Sequence, residues 1–158
     1  MRVLFAAVGL VLCLGLVLLA TLWPTPIDRG YESAIEHVLS VLHRNGMPGW
    51  YGYGWLEATA NVLMFIPLGF LLALVFPTRL MWVTLLLVPV VSSALEGTQL
   101  LLLPARFASP IDVMANSLGG WLGVGLAAIA VVVVHERDRR VLARWRAAHV
   151  ITLEEARR

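Results

Sequence analysis

Four long apolar segments dominate this chain of 158 residues. They cover residues 3–22, 57–76, 80–103 and 111–134, and each reaches the length of about 20 residues that a helix needs to cross a bilayer. Lipid offers the backbone no hydrogen bonds, so such segments must form helices. A composition of 59% hydrophobic and 14% charged residues agrees. The sequence therefore predicts an all-α polytopic membrane protein with four transmembrane helices.

The first apolar segment is interpreted as a retained anchor. Arg2 precedes it, as in a signal peptide, but its apolar core is long and no A-x-A cleavage site follows. Cys13 is the only cysteine, which excludes an intramolecular disulfide, and Leu12 before it is not typical of a lipoprotein cysteine. We therefore assign residues 1–134 to one membrane domain.

Arginine placement predicts the orientation. An even number of spans puts both termini on one side of the membrane. One side carries Arg2, Arg79, Arg137, Arg139, Arg140, Arg144, Arg146, Arg157 and Arg158, and the other carries Arg29, Arg44 and Arg106. Because positive residues favour the cytoplasm, we expect both termini in the cytoplasm.

Two further helices are expected outside the bilayer core. Residues 31–42 repeat apolar side chains at intervals of three and four, which indicates an amphipathic helix at the outer interface. The tail, residues 135–158, places Val141, Leu142 and Trp145 among arginines and predicts a basic cytoplasmic helix on the anionic inner leaflet. Its arginines lie next to the membrane with no recognition motif, so no nucleic-acid partner is expected.

Aromatic residues follow the outer helix. Trp50, Tyr51, Tyr53 and Trp55 have glycines between them. They are typical of an aromatic belt at the outer head groups. The alternative is a stacking platform for a sugar or a peptide ring, which needs the same residues in a concave arrangement.

Polar residues from separate segments converge on the outer half of the membrane. Counted by helical rise, Glu96 is the innermost of them. The candidate ligand-binding residues are Asn61, Glu96, Gln99, Arg106, Asp112 and Asn116. Charged side chains within spans are rare and mark functional sites. The sequence therefore predicts a polar pocket that faces outward, with the lipid bilayer as a partner.

Each of these residues also has a structural interpretation. Asn61 and Asn116 could join helices by hydrogen bonds. Ser109 to Asp112 reads as a capping box, with Ser109 as N-cap, Pro110 at the first helical position and Asp112 returning to the cap amide. Glu96 is harder to explain this way, because neutral amides join helices at lower cost. A carboxyl there implies a cation partner, a neutral form or a hydrated cavity, and makes Glu96 the candidate catalytic residue.

Prolines and glycines favour a helix bundle that is closely packed toward its cytoplasmic half and polar in its outer half. Pro67 leaves the carbonyl of Leu63 without its helical partner, and Pro89 does the same for Leu85. The last span carries a stripe of small residues that lets a neighbouring helix approach closely. The stripe consists of Gly119, Gly120, Gly123 and Ala127.

These positions together resemble a known family. The pattern is Asn61-x3-Phe65-x-Pro67-x-Gly69-Phe70, then Glu96-x2-Gln99, then Arg106-x5-Asp112-x3-Asn116-x2-Gly119-Gly120-x2-Gly123. It resembles the VanZ-like family of small bacterial membrane proteins, named for teicoplanin resistance, with a core over about residues 57–134. This chain has Ser117 where many members have Thr, and Ser109 where some have an additional acid. The resemblance implies a helical membrane protein linked in its founding member to envelope-antibiotic tolerance.

Three functions are compatible with these residues. The first is a non-enzymatic protein that binds an envelope lipid or lipid-linked wall precursor, with Arg106 pairing with a phosphate or carboxylate. The second is an intramembrane enzyme with Glu96 as general acid or base, Arg106 stabilising an anion and Asp112 orienting the carboxyl. The third is a structural or proton-relay bundle. No cofactor and no metal ion is expected, and the first function is favoured.

Overall fold

The chain is helical wherever the structure describes regular elements. The structure is a computed structural model that describes residues 2–22, 30–102 and 109–155, with side chains within 3–145. It contains α1 (Arg2–Leu22), α2 (Glu32–Arg44), α3 (Tyr53–Val75), α4 (Val83–Leu102) and α5 (Pro110–Glu155). Four of these helices, all except α2, are long and apolar enough to cross a membrane. The predicted all-α fold with four spanning helices is confirmed.

Two helices start a few residues away from the approximate starts of the predicted spans. Helix α3 begins at Tyr53 rather than at residue 57, because Gly52 is extended and its carbonyl already accepts from the N–H groups of Trp55 and Leu56. Helix α4 begins at Val83 rather than at residue 80, because a 3-10 turn at Thr78–Leu80 follows Pro77 and comes first. Both differences lie at helix ends, where sequence signals are weakest.

The last span and the basic tail form one continuous helix. Helix α5 runs from Pro110 to Glu155 and passes the predicted boundary after residue 134 without a break. Residues 135–155 contain neither glycine nor proline, so nothing in the sequence stops the helix there. The placement of this extension on the inner leaflet stays a prediction.

Helix α2 lies outside the main bundle. It ends at Arg44, and Gly46 follows with φ 96°, a left-handed conformation that favours glycine after a helix. None of its residues is buried. A helix is present where one was predicted, whereas its role as an amphipathic helix at the outer membrane interface stays a prediction.

Hydrogen bonds between helix ends define the directions of the four spans. Gln99 near the end of α4 reaches Thr21 near the end of α1, and Asn61 in α3 reaches Asp112 at the start of α5. Glu96 in α4 contacts Ser109, directly before α5. The ends of α1 and α4 therefore lie beside the starts of α3 and α5, as alternating up and down spans require.

Helices α3 and α5 pack so closely that their backbones touch. A Cβ atom on Gly119 would overlap the carbonyl of Val62, and one on Gly123 would overlap the carbonyl of Ile66. Gly69 meets the backbone of Gly120 in the same way. We call these contacts the glycine seam. The small-residue stripe thus admits a neighbouring helix as predicted, and Ala127 at its end is fully buried.

Candidate functional site

Polar groups from all four spanning helices meet at one end of the bundle. They form four contacts between segments that are distant in sequence. We call this set the polar layer; it comprises Thr21, Asn61, Ser92, Glu96, Gln99, Ser109, Asp112 and Asn116. Among these, Glu96, Gln99 and Asn116 are 9%, 5% and 2% exposed, so the layer is largely enclosed by protein.

Glu96 holds the start of helix α5. Its Oε2 atom accepts a hydrogen bond of 3.1 Å from the backbone N–H of Ser109. The Ser109 hydroxyl in turn accepts from the N–H of Ile111 at 3.2 Å, which confirms Ser109 as the N-cap. The capping box predicted Asp112 as the acceptor for the cap amide, and the structure gives that amide to Glu96 instead. An acid on a neighbouring helix thus completes the cap.

Asp112 is turned toward helix α3 instead of its own N-cap. Its Oδ1 atom accepts a hydrogen bond of 2.9 Å from Nδ2 of Asn61. This contact is made by two of the predicted ligand-binding residues. Asn61 lies two turns inside α3, because that helix starts earlier than expected. The pair ties the start of α5 to α3 just beyond the glycine seam.

Gln99 connects helix α4 to the end of helix α1. Its Nε2 atom donates a hydrogen bond of 2.6 Å to the backbone carbonyl of Thr21. The Thr21 hydroxyl donates to the carbonyl of Val17 within α1. The carbonyls in the last turn of a helix lack intrahelical partners. Gln99 therefore supplies an interhelical partner to this end of α1.

The innermost contact of the polar layer joins Asn116 and Ser92. Nδ2 of Asn116 donates to Oγ of Ser92 at 3.0 Å. Ser92 lies one turn deeper in α4 than Glu96, so this contact extends the polar layer below Glu96. The Oδ1 atom of Asn116 has no hydrogen-bond partner within the part of the chain that the structure describes.

Below the layer, a tryptophan satisfies a carbonyl freed by proline. Pro89 leaves the carbonyl of Leu85 without its helical donor, as predicted. Nε1 of Trp121 on α5 donates to that carbonyl at 2.9 Å. The bond ties α4 to α5 near the glycine seam and repairs the gap in the α4 ladder.

A groove opens beside the polar layer. It lies between the end of α1, the start of α3 and helix α2, and has a volume of about 540 Å³. Its lining residues come from these three helices and the residue before α2; they are Ala20, Thr21, Tyr31, Ile35, Tyr53, Leu56, Glu57, Ala60, Asn61 and Met64. Asn61 and Thr21 belong to both the groove and the polar layer. The groove thus opens onto two members of the polar layer.

The structure brings together five of the six predicted ligand-binding residues. Asn61, Glu96, Gln99, Asp112 and Asn116 all belong to the polar layer. The sixth, Arg106, lies outside the described residues.

Sequence reasoning missed two members of the polar layer, Thr21 and Ser92. Ser92 stands four residues before Glu96 and shares its helical face, which was a usable signal. The contact of Thr21 is made by its backbone carbonyl, so no residue type in the sequence pointed to it.

The exposed aromatic cluster stands apart from the polar layer. Trp50 meets Trp55 edge to face with ring centroids 5.5 Å apart, and both are more than half exposed. Tyr53, close by in sequence, lines the groove. Over the described ranges, no three His, Cys, Asp or Glu side chains group as a metal site needs.

The comparisons with known proteins agree with this architecture. Neither a curated protein nor a solved structure matches the chain. The family model described as VanZ/LLP1 matches residues 7–131, which takes in the four spans, the polar layer and the glycine seam. The chain therefore belongs to the VanZ/LLP1 family.

Proposed function

We propose that this membrane protein binds an envelope lipid or a lipid-linked cell-wall precursor at its polar layer. The observation that carries the proposal is the groove of about 540 Å³ that opens onto Asn61 and Thr21. Ligand pockets of this size combine apolar walls with a few convergent polar groups. Most polar residues of the layer are committed to contacts between helices, so the groove is the place where a ligand can reach them.

The buried acid has a positioning role in this proposal. Glu96 fixes the start of α5 through Ser109, and α5 carries Asp112, which holds Asn61 at the groove. Arg106, in the short connection between α4 and α5, is proposed to pair with a phosphate or carboxylate of the ligand. The polar end faces outward in this proposal, with both termini in the cytoplasm of a bacterium.

An effect on teicoplanin susceptibility belongs to the same proposal. A protein that binds a cell-wall precursor at the outer leaflet competes with, or alters access for, antibiotics that act on that precursor. The expected phenotype is a change in the inhibitory concentration of teicoplanin when the chain is expressed. That change requires the same residues as lipid binding.

Native mass spectrometry tests the proposal directly. The purified protein is expected to retain a discrete class of envelope lipid, and Arg106→Ala is expected to lose most of it. Glu96→Gln keeps an acceptor for Ser109 and replaces the carboxyl with a neutral amide. Thr98→Val is the matched control, because among the described residues its hydroxyl bonds only to the carbonyl of Ala94 in its own helix.

Two results would contradict the proposal. One is the absence of any retained lipid from the unaltered protein. The other is equal lipid retention and unchanged glycopeptide susceptibility in Glu96→Gln, Arg106→Ala and Thr98→Val. Thermal stability measured on the same samples separates loss of binding from loss of folding. If a variant binds no lipid and also unfolds at a lower temperature, the substituted residue has a purely structural role.

A further inference from the structure

We propose that one water molecule is bound inside the helix bundle, between Ser92 on α4 and Asn116 on α5. The water accepts a hydrogen bond from the Ser92 hydroxyl and donates one to the side-chain carbonyl of Asn116. The site lies one helical turn below the level of Glu96 and Asp112. This inference goes beyond the proposed function and does not depend on it, because the site is made by two interior side chains and needs no lipid.

The acceptor of the site is a buried amide oxygen. Nδ2 of Asn116 donates to Oγ of Ser92 at 3.0 Å, whereas Oδ1 of Asn116 has no hydrogen-bond partner over the residues that the structure describes. Asn116 is 2% exposed. A buried polar group without a partner carries the full cost of its desolvation, and bound water commonly supplies the missing bond. Rotating the amide would leave two N–H donors without a partner in place of one acceptor.

The donor of the site is the hydroxyl hydrogen of Ser92. Oγ of Ser92 accepts from Asn116, and within the described ranges its hydroxyl donates to no protein group. Thr84 and Thr98 on the same helix differ, because their hydroxyls donate to backbone carbonyls three and four residues earlier. Ser92 is 0% exposed, so bulk solvent does not supply the acceptor. The pair therefore presents an unused donor and an unused acceptor next to each other.

A single water molecule can serve both groups. A primary amide carries its N–H and C=O groups on one carbon atom, so a molecule beside Oγ of Ser92 is also within reach of Oδ1 of Asn116. The result is a closed ring of three hydrogen bonds, from Nδ2 to Oγ, from Oγ to the water and from the water to Oδ1. Both the hydroxyl and the amide oxygen then have a partner, as is usual for buried polar groups.

Neighbouring side chains enclose this level of the bundle. Phe65 on α3 lies midway between two residues that contact α5 four positions before and four positions after Asn116, so it lies opposite Asn116. One turn below, a Cβ atom on Gly120 would overlap the side chain of Val88. Phe65 and Val88 are 0% and 1% exposed, and both are uncharged. Because desolvating an ion is costly, this enclosed level suits a small neutral molecule that both donates and accepts, which is water.

Solid-state NMR on the full chain in perdeuterated lipid bilayers tests the site without any substitution. Three positions can be assigned through dipeptides that each occur once in the sequence, namely Asn116–Ser117, Val91–Ser92 and Val88–Pro89. Magnetisation is expected to pass from water to Cγ of Asn116 and Cβ of Ser92 several-fold faster than to Cβ of Val88. A rate at either polar position that is no higher than at Val88 would overturn the proposal.

Matched substitutions test whether Asn116 holds the water. Asn116→Leu keeps the approximate size of the side chain and removes the amide. Transfer from water to Ser92 is expected to fall to the level of Val88, because the hydroxyl then bonds to a carbonyl of its own helix. Asn45→Leu makes the same change at an exposed position on the end of α2 and is expected to leave the transfer unchanged. Undiminished transfer to Ser92 in Asn116→Leu would contradict the assignment.

A structure determined at a resolution that shows ordered water decides the matter if Asn116→Leu does not fold. Density for one water is expected roughly 2.5 to 3.0 Å from both Oγ of Ser92 and Oδ1 of Asn116. A Ser92 hydroxyl turned toward the carbonyl of Val88, or density too large for water, would overturn the proposal. Retention or loss of lipid changes none of these expectations, so failure of this inference is distinct from failure of the proposed function.

Discussion

Helices α3 and α5 meet in two regions, one held by direct backbone contact and the other by hydrogen bonds between side chains. Along the glycine seam their backbones touch, and a single added Cβ atom would overlap a carbonyl. At the polar layer, Asn61 and Asp112 bridge the same two helices through side chains, and a groove of about 540 Å³ opens beside them. The glycine seam therefore sets the distance between the two helices, and the polar layer lies where the helices leave space for a groove.

The two regions also differ in what they tolerate. The seam depends on the absence of side chains, so substitution there acts through steric overlap with backbone that cannot move aside. The polar layer depends on the presence of particular donors and acceptors, so conservative replacements retain part of its function. Substitutions in the two regions should therefore separate loss of folding from loss of binding.

The largest effect is expected in the seam. Gly123→Val places methyl groups against the carbonyl of Ile66 and is expected to lower stability by about 3 kcal/mol or to prevent folding. Gly125→Val is the control, since a Cβ on Gly125 meets nothing within 4 Å. Chemical unfolding in detergent measures both. Equal stability of the two variants would show that the helices can separate at no cost.

A smaller effect is expected at the cap of α5. Glu96→Ala leaves the N–H of Ser109 without the acceptor seen at 3.1 Å, and we expect a loss of about 1 to 3 kcal/mol. Glu96→Gln keeps an oxygen in the same place and should retain most of the stability. Thermal unfolding followed by helical circular dichroism compares them. If the glutamine variant is as unstable as the alanine variant, the site requires the carboxyl group itself and not only an acceptor for the cap amide.

The bond from Trp121 to the carbonyl of Leu85 should contribute about 0.6 kcal/mol, as is usual for interhelical hydrogen bonds in membranes. Trp121→Phe removes the donor. Pro89→Ala restores an N–H to the α4 ladder, so Leu85 regains a partner and the tryptophan bond matters less. A double-mutant cycle is therefore expected to show coupling between the two sites. Strict additivity would mean that the proline and the tryptophan act independently.

A similarly small effect on stability is expected for Asn61→Leu. It removes the 2.9 Å bond to Asp112, and part of that loss is offset by the apolar surface the leucine buries. We expect a change below about 1 kcal/mol. Isothermal unfolding measures this change. Asn61→Ala is the comparison variant, because it loses the hydrogen bond and does not gain the buried apolar surface. A loss as large as that of Gly123→Val would make Asn61 a structural residue of the seam.

Much of the fold and part of the site follow from the sequence. Segment length and hydropathy predict four spanning helices, and the spacing of Gly119, Gly120 and Gly123 predicts a close helix contact. The convergence of Asn61, Glu96 and Gln99 follows from counting helical rise along alternating spans. These predictions succeed because they rest on periodicity within single helices.

The partners of the polar residues were not predictable in this way. The cap amide of Ser109 bonds to Glu96 across a helix interface rather than to Asp112 within α5. Gln99 bonds to a backbone carbonyl, which every residue carries and no pattern marks. Such contacts depend on the rotation of one helix against another, and that rotation is set by packing along the whole interface.

The most direct test measures lipid retention and stability together on two matched variants. Asn61→Leu and Trp121→Phe each remove one interhelical hydrogen bond, the first in the polar layer and the second beside the glycine seam. Native mass spectrometry and thermal unfolding are performed on the same preparations. We predict similar small losses of stability in both variants and loss of the retained lipid only in Asn61→Leu. Equal lipid retention in the two variants, whether both keep it or both lose it, would contradict the assignment of ligand binding to the polar layer.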